Sequence, residues 1–124
     1  MKVLPSAQQQ AAQEVFTRAW NHIHEQNKPA TNSFGSCKYK TEEGLSCAFA
    51  PCIAEYHIQL EGKSAGTLLQ DNRYNAFLDP VIRACPLDFA SEVQSCHDKA
   101  ALGYFNEADE FISEFERLMR ELIE

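Results

Sequence analysis

The chain has 124 residues, of which 44% are hydrophobic and 23% are charged, and its formal net charge is −7 at pH 7. This composition is typical of a globular domain and argues against disorder, while the short apolar runs argue against a membrane span. The acidic balance argues against a nucleic acid partner, because binding to a phosphate backbone depends on clustered lysine and arginine. We therefore expect a single globular domain over residues 1–124, without nucleic acid or membrane partners.

The N-terminal stretch and the cysteines point to a compartment. The stretch has one lysine and no apolar segment before its glutamines, so it lacks the anatomy of a secretory signal. Five cysteines is an odd number, and the sequence contains no Asn-x-Ser/Thr motif. A cytoplasmic protein whose thiols are mostly free is the expectation.

Two segments have the apolar spacing of long amphipathic helices. The first has Ser6 as a candidate N-cap and must end at Lys28-Pro29. The last, over residues 107–124, has Asn106 as a candidate cap and an apolar arc of roughly 140°. The arc is formed by Phe111, Ile112, Phe115, Leu118, Met119, Leu122 and Ile123. So wide an arc predicts a partner surface, or a homodimer through the 107–124 helix.

Between these helices, the sequence suggests a small hairpin. Cys37 and Tyr39 alternate with lysines, a turn ends near Gly44, and residues 45–47 can return as a second strand. Pro51 suits the first turn of a helix that Glu61-Gly62 would end.

Two further helices complete the predicted fold. Ser64 is a candidate cap of a short helix, and Asp88 is a candidate cap of a longer one that closes at Gly103. The predicted class is α+β, mostly α, with about four to six helices packed around a small antiparallel β-hairpin.

The cysteines and histidines allow several chemistries. Cys37, Cys47, Cys52 and His57 supply four possible zinc ligands, although Cys52 and His57 would diverge if both lay on one helix. A disulfide between Cys37 and Cys47 is sterically conceivable across a hairpin. Buried thiols without a chemical role are favoured over both, so no cofactor is expected and zinc is the alternative.

A thiol-dependent enzyme is a further alternative. Cys96, His97 and Asp98 have suitable residue types, but consecutive helical residues are expected to point too far apart to form a hydrogen-bonded relay. Partners such as Cys85 or His57 would have to come from elsewhere. His97 falls on a packing face, where a core histidine bonded to a carbonyl or carboxylate is favoured over a ligand or catalytic role.

The stretch Cys37-x-Tyr39-Lys40, followed by a turn and Gly44-Leu45-Ser46-Cys47-Ala48, resembles a family of small uncharacterised phage, prophage and mobile-element proteins. That family has Cys-x-Tyr-Arg, a turn and Gly-Leu-Lys-Cys-Ala-x-Gly, then an apolar pair, Tyr, Glu-Gly and Leu-Gln-x-x-His-Asp. Here the later elements are Ile53, Tyr56, Glu61-Gly62 and Val93-Gln94-x-x-His97-Asp98. Lys40, Ser46 and Ala50 depart from the family's Arg, Lys and Gly.

The resemblance implies a mobile-element setting and nominates Cys37, Tyr39, Cys47, His97 and Asp98 as ligand- or partner-binding residues. With these residues the sequence predicts a non-enzymatic cytoplasmic binding or accessory protein, with a host protein or a small molecule as its partner. The alternative is a metal- or thiol-dependent enzyme that uses Cys37, Cys47, Cys52 and His97.

Overall fold

The computed structural model describes residues 6–31, 38–103 and 108–123. Within these ranges the chain forms five α-helices connected by turns, three of them 3₁₀ turns. The helices are α1 (Ser6–Gln26), α2 (Ala65–Gln70), α3 (Asn72–Asn75), α4 (Leu87–Gly103) and α5 (Ala108–Leu122). The 3₁₀ turns are Ala50–Cys52, Ile58–Leu60 and Pro80–Ile82. No helix in these ranges combines the length and apolar character that crossing a membrane requires.

Helix α1 follows its apolar periodicity. Its stripe is fully buried at Val15, Ala19 and Ile23. The helix ends where Asn27 adopts a φ of 60°, and the Asn27 N–H donates to the Ile23 carbonyl at 2.8 Å. An asparagine in the left-handed region is a common C-terminal cap, so the helix ends just before the predicted Lys28-Pro29 stop.

Helices α4 and α5 pack against each other and against α1. Phe111, Phe115 and Met119 of α5 are fully buried, and the Phe111 ring meets the His97 ring edge-on at 5.7 Å. Much of the apolar arc of residues 107–124 therefore packs within one chain, which weakens its value as evidence for a homodimer. Ile123, at the end of the helix, is 42% exposed. The candidate cap Asn106 lies outside the described residues.

The predicted β-hairpin is wrong, because no strand or sheet forms in the described part of the chain. One isolated antiparallel bridge joins Lys40 to Ser46 around the turn at Gly44, whose φ is 87°. The ladder does not extend because side chains take the backbone groups. Glu61 accepts from the N–H groups of residues 39 and 40, and Gln26 bonds both the N–H and the carbonyl of Ser46. The fold is thus mostly helical rather than α+β.

The predicted helix from Pro51 to Glu61-Gly62 is also wrong. The segment makes a 3₁₀ turn and then an extended crossing, in which Ile53 bridges antiparallel to Leu78. The N–H groups of residues 54 and 55 both donate to the Phe77 carbonyl, so they are not available for helical bonds.

The two middle helices are present. Ser64 caps α2, with its hydroxyl accepting from the Thr67 N–H at 3.1 Å, as predicted. Helix α4 ends its described length at Gly103, but it begins at Leu87, so Asp88 lies in its first turn rather than at the cap. A carboxylate there still favours the helix through the N-terminal dipole.

Candidate functional site

A polar cleft of about 310 Å³ lies between α4 and two connecting segments. Residues 38 and 39 and residues 61–65 form one side, and one face of α4 forms the other. The α4 residues are Ser91, Gln94, Ser95 and Asp98, whose three- and four-residue spacing places them on one face. Two of the nominated residues, Tyr39 and Asp98, therefore lie in the same cleft.

Glu61 organises the connecting side of the cleft. Its carboxylate accepts from the N–H of Tyr39 at 2.9 Å, from the N–H of Lys40 at 3.0 Å and from the Tyr56 hydroxyl at 2.7 Å. Three donors on one carboxylate fix the segment before the turn, because bonds to a charged acceptor are stronger than neutral ones. The ammonium group of Lys40 also lies 5.4 Å from the centre of the Tyr56 ring.

Tyr39 is held at both ends. Its side chain is buried, and its hydroxyl donates to the Lys63 carbonyl at 2.5 Å. Burial, with smaller contributions from nearby acidic groups, raises the pKa of Tyr39 well above its ordinary value. Tyr39 therefore lines the cleft as a neutral side chain and connects residues 38 and 39 with residues 61–65. It does not act as a base.

A chain of hydrogen bonds runs along α4 behind the cleft. The Phe49 N–H donates to the side-chain Oε1 of Gln94 at 3.0 Å, and the side-chain Nε2 of Gln94 donates to Asp98 Oδ1 at 3.0 Å. His97 Nδ1 lies 2.9 Å from the same oxygen, and the Ala30 N–H donates to His97 Nε2 at 3.0 Å. Because Nε2 accepts, the proton is on Nδ1, and the ring is a neutral imidazole that donates to Asp98.

The expectation that consecutive residues of the Cys96-His97-Asp98 run cannot bond to one another is wrong for His97 and Asp98. The ring of His97 is fully buried, and 43% of the Asp98 side chain is exposed, so the pair spans the boundary between core and cleft. The arrangement matches the favoured reading of His97 as a core histidine bonded to a carboxylate. His97 lies behind the cleft and does not line it.

The described cysteines are buried and free: Cys47, Cys52, Cys85 and Cys96. Burial raises the pKa of Cys47 strongly and the pKa of each of the other three to about 12. A thiol must ionise to act as a nucleophile, and these four remain protonated near neutral pH. Cys37, the remaining nominated cysteine, lies outside the described residues, as does any disulfide or metal bond that it would make.

The alternative zinc group is not assembled by its described members. No three His, Cys, Asp or Glu side chains within residues 6–31, 38–103 and 108–123 form a group that could hold a metal ion. Cys47 and Cys52 are buried, whereas His57 is exposed, with its ring stacked against Phe77 at 5.6 Å. His57 Nδ1 accepts from the Gln59 N–H at the start of a 3₁₀ turn.

A serine and a histidine meet outside the cleft. His22 Nε2 lies 2.9 Å from the Ser46 hydroxyl and 3.1 Å from the Ser46 carbonyl oxygen. The carbonyl can only accept, so Nε2 carries a proton and cannot serve as a base for the hydroxyl. The pair is therefore a structural link between α1 and the turn, and His24 makes a second link, to Glu116 of α5 at 2.8 Å.

Sequence reasoning missed the roles of two side chains that hold distant backbone segments together. Glu61 was interpreted as a helix end and as part of the resemblance, and no role was given to its carboxylate. Gln26, which bonds Ser46 outside the cleft, was not singled out, although each side chain bonds a backbone segment about 20 positions away. The pattern of the resemblance could have pointed to them in part, because Glu61, Gln94, His97 and Asp98 all belong to it. Comparison of the chain with protein-family models, with curated proteins and with solved structures found no match.

Proposed function

We propose that the protein is a small non-enzymatic binding or accessory protein, carried by a mobile genetic element and acting in the cytoplasm. Its partner is a small molecule or a host protein, and the polar cleft beside α4 is its binding site. The observation that carries the proposal is the meeting of Tyr39 and Asp98 in a concave site of about 310 Å³. Ligand pockets of proteins begin at about this volume.

A small polar ligand is favoured over a protein partner for this site. The cleft is lined mainly by charged residues, serines and glutamine, whereas protein interfaces concentrate aromatic and apolar anchors. Its walls are also held in place before binding, since Glu61 fixes one side and the Gln94–Asp98–His97 chain fixes the other. A site that is organised in advance loses less free energy to ordering when a ligand binds.

The alternative of a metal- or thiol-dependent enzyme has weaker support. Its described members Cys47 and Cys52 are buried thiols with raised pKa values, and neither lines the cleft. A binding role for the cleft does not require an ionised thiol.

Amide NMR spectra of the reduced, ¹⁵N-labelled protein test the proposal. The protein is titrated with a set of monosaccharides, nucleosides, polyamines, dicarboxylates and free amino acids. We expect at least one class to cause saturable shifts at residues 38–40, 61–65 and 91–98. Ser95→Trp, which places a large ring in the cleft, removes those shifts. Glu92→Trp, a control on the exposed side of the same helix, preserves them. Binding that survives Ser95→Trp, or no cleft shift with any class, would overturn the proposal.

A further inference from the structure

The charged groups of the cleft allow a ligand class to be named, on the assumption that the cleft is the binding site proposed above. Lys38 and Asp98 both line it, and no salt bridge joins them in the described part of the chain. Opposite charges that share a small cleft without pairing are a suitable arrangement for a ligand that carries both signs.

The other two charged residues of the cleft already have interaction partners. Both oxygens of Glu61 accept hydrogen bonds from Tyr39, Lys40 and Tyr56. The ammonium group of Lys63 lies 5.5 Å from the centre of the Tyr74 ring, and Tyr74 does not line the cleft. Lys38 and Asp98 are therefore the charged residues of the cleft most available to a ligand, and Lys63 and Glu61 keep their charges.

Asp98 is positioned as an acceptor before any ligand arrives. The Gln94 amide and the His97 ring both donate to its Oδ1, and 43% of its side chain remains exposed. The carboxylate is therefore oriented by bonds on its inner side while its outer side faces the cleft. A ligand ammonium group can bind such a carboxylate through a charge-assisted hydrogen bond.

Serines supply further polar groups in the cleft. Ser91 Oγ accepts from the Gly66 N–H at 2.9 Å, and a hydroxyl in that role can still donate its own proton. Ser95 lies one turn further along α4, between Ser91 and Asp98. We infer that the cleft binds a small zwitterion of the free amino-acid type, with its ammonium group at Asp98 and its carboxylate near Lys38 and the serines.

A simple anion or a simple cation fits the cleft less well. An anion near Lys38 would also face the carboxylate of Asp98, and a cation at Asp98 would also face the ammonium group of Lys38. Like charges in a partly enclosed site repel, so a single-sign ligand is opposed by the residues of its own sign that line the cleft.

The test compares three probes on the labelled protein. The tightest-binding free amino acid is compared with the amine that lacks its carboxylate and with the acid that lacks its amino group. We expect the amino acid to shift the amides of Gly62, Ser64, Ser95 and Asp98, and each analogue to bind at least about tenfold more weakly.

Two variants and a matched control test the assigned charges. Asp98→Asn keeps an oxygen that accepts from Gln94 and His97, and Lys38→Gln removes the opposite charge. We expect each to weaken amino-acid binding by about tenfold, and Lys99→Gln, exposed on the same helix, to leave it unchanged. Unchanged binding in both variants overturns the inference.

The probe set separates the two levels of the proposal. If monosaccharides, nucleosides or single-sign ions shift the cleft amides and amino acids do not, the zwitterion inference fails and the binding function stands. If no probe class shifts them, both fail.

Discussion

At the scale of single residues, polar side chains bond backbone groups that a neighbouring strand would bond in a β-sheet. Gln26 bonds both backbone groups of Ser46, and Glu61 bonds two consecutive N–H groups. Backbone N–H and carbonyl groups of folded proteins are nearly all hydrogen-bonded, and here the partners are side chains from distant parts of the chain. This explains why the predicted hairpin does not form. The alternating residues predicted backbone bonds between two strands, but side chains from distant parts of the chain bond those backbone groups instead.

His97→Ala is expected to destabilise the protein by about 2–4 kcal/mol. The change leaves the buried Ala30 N–H without its acceptor and opens a cavity beside Phe111. Urea unfolding followed by circular dichroism measures the loss. Glu92→Ala, on the exposed side of the same helix, is the control and should change stability by less than about 0.5 kcal/mol. A loss below about 1 kcal/mol for His97→Ala would contradict the described bonding.

The described thiols are expected to resist alkylation in the folded protein. In a Cys37→Ser variant, which removes the thiol outside the described residues, iodoacetamide at pH 8 should add no label to the native state. After denaturation it should add four, one for each buried cysteine. Mass spectrometry counts the labels. Rapid labelling of any one thiol in the native state would show that this thiol is accessible and ionised, contrary to its burial.

At the scale of elements, the sequence predicted the helices that have a strong 3.6-residue period. α1 and α5 agree with their apolar stripes, and α2 agrees with its Ser64 cap. The helix predicted from Pro51 does not form, because the N–H groups of residues 54 and 55 donate to the Phe77 carbonyl and the Cys52 carbonyl accepts from the Asp79 N–H. Local spacing cannot reveal this pairing. The local sequence pattern therefore predicted the helices that local interactions form. It missed the segment whose conformation depends on pairing with a distant part of the chain.

The two sides of the α5 arc should respond differently to truncation. Phe115→Ala removes a fully buried ring and is expected to cost about 3–5 kcal/mol. Ile123→Ala, at a site 42% exposed, should cost less than about 1 kcal/mol. Urea unfolding of both variants, at two protein concentrations, makes the comparison. A large and concentration-dependent loss for Ile123→Ala would instead support a homodimer through residues 107–124.

At the scale of the whole molecule, the buried thiols couple stability to pH. The pKa of Cys52, Cys85 and Cys96 is about 12 in the folded protein, against an ordinary value of 9.0. Raising the pKa of an acid means that the folded state keeps its proton longer than the unfolded chain does. The stabilisation is therefore complete below about pH 9 and is lost as the pH rises toward 12.

We expect the free energy of unfolding to fall between about pH 9 and pH 10, by about 1 kcal/mol for each buried thiol. Urea unfolding at several pH values measures the slope. Cys96→Ala removes one titrating group, so the free energy of unfolding should fall by about 1 kcal/mol less over the same pH range. A flat profile across this range, or an identical slope in the variant, would mean that the thiols ionise as readily in the folded state as in the unfolded chain.

The bond from the Ala30 N–H to His97 also connects a buried amide to the cleft, so the resonance of this amide should respond to a ligand there. Asp98 faces the cleft, His97 donates to Asp98, and Ala30 donates to the other side of the same ring. A ligand that draws electron density from Asp98 alters the ring, and the ring alters the resonance of a buried amide that the ligand never touches. Because the Ala30 N–H bonds to a side chain of α4, the exchange of that amide with deuterium measures how often Ala30 separates from α4.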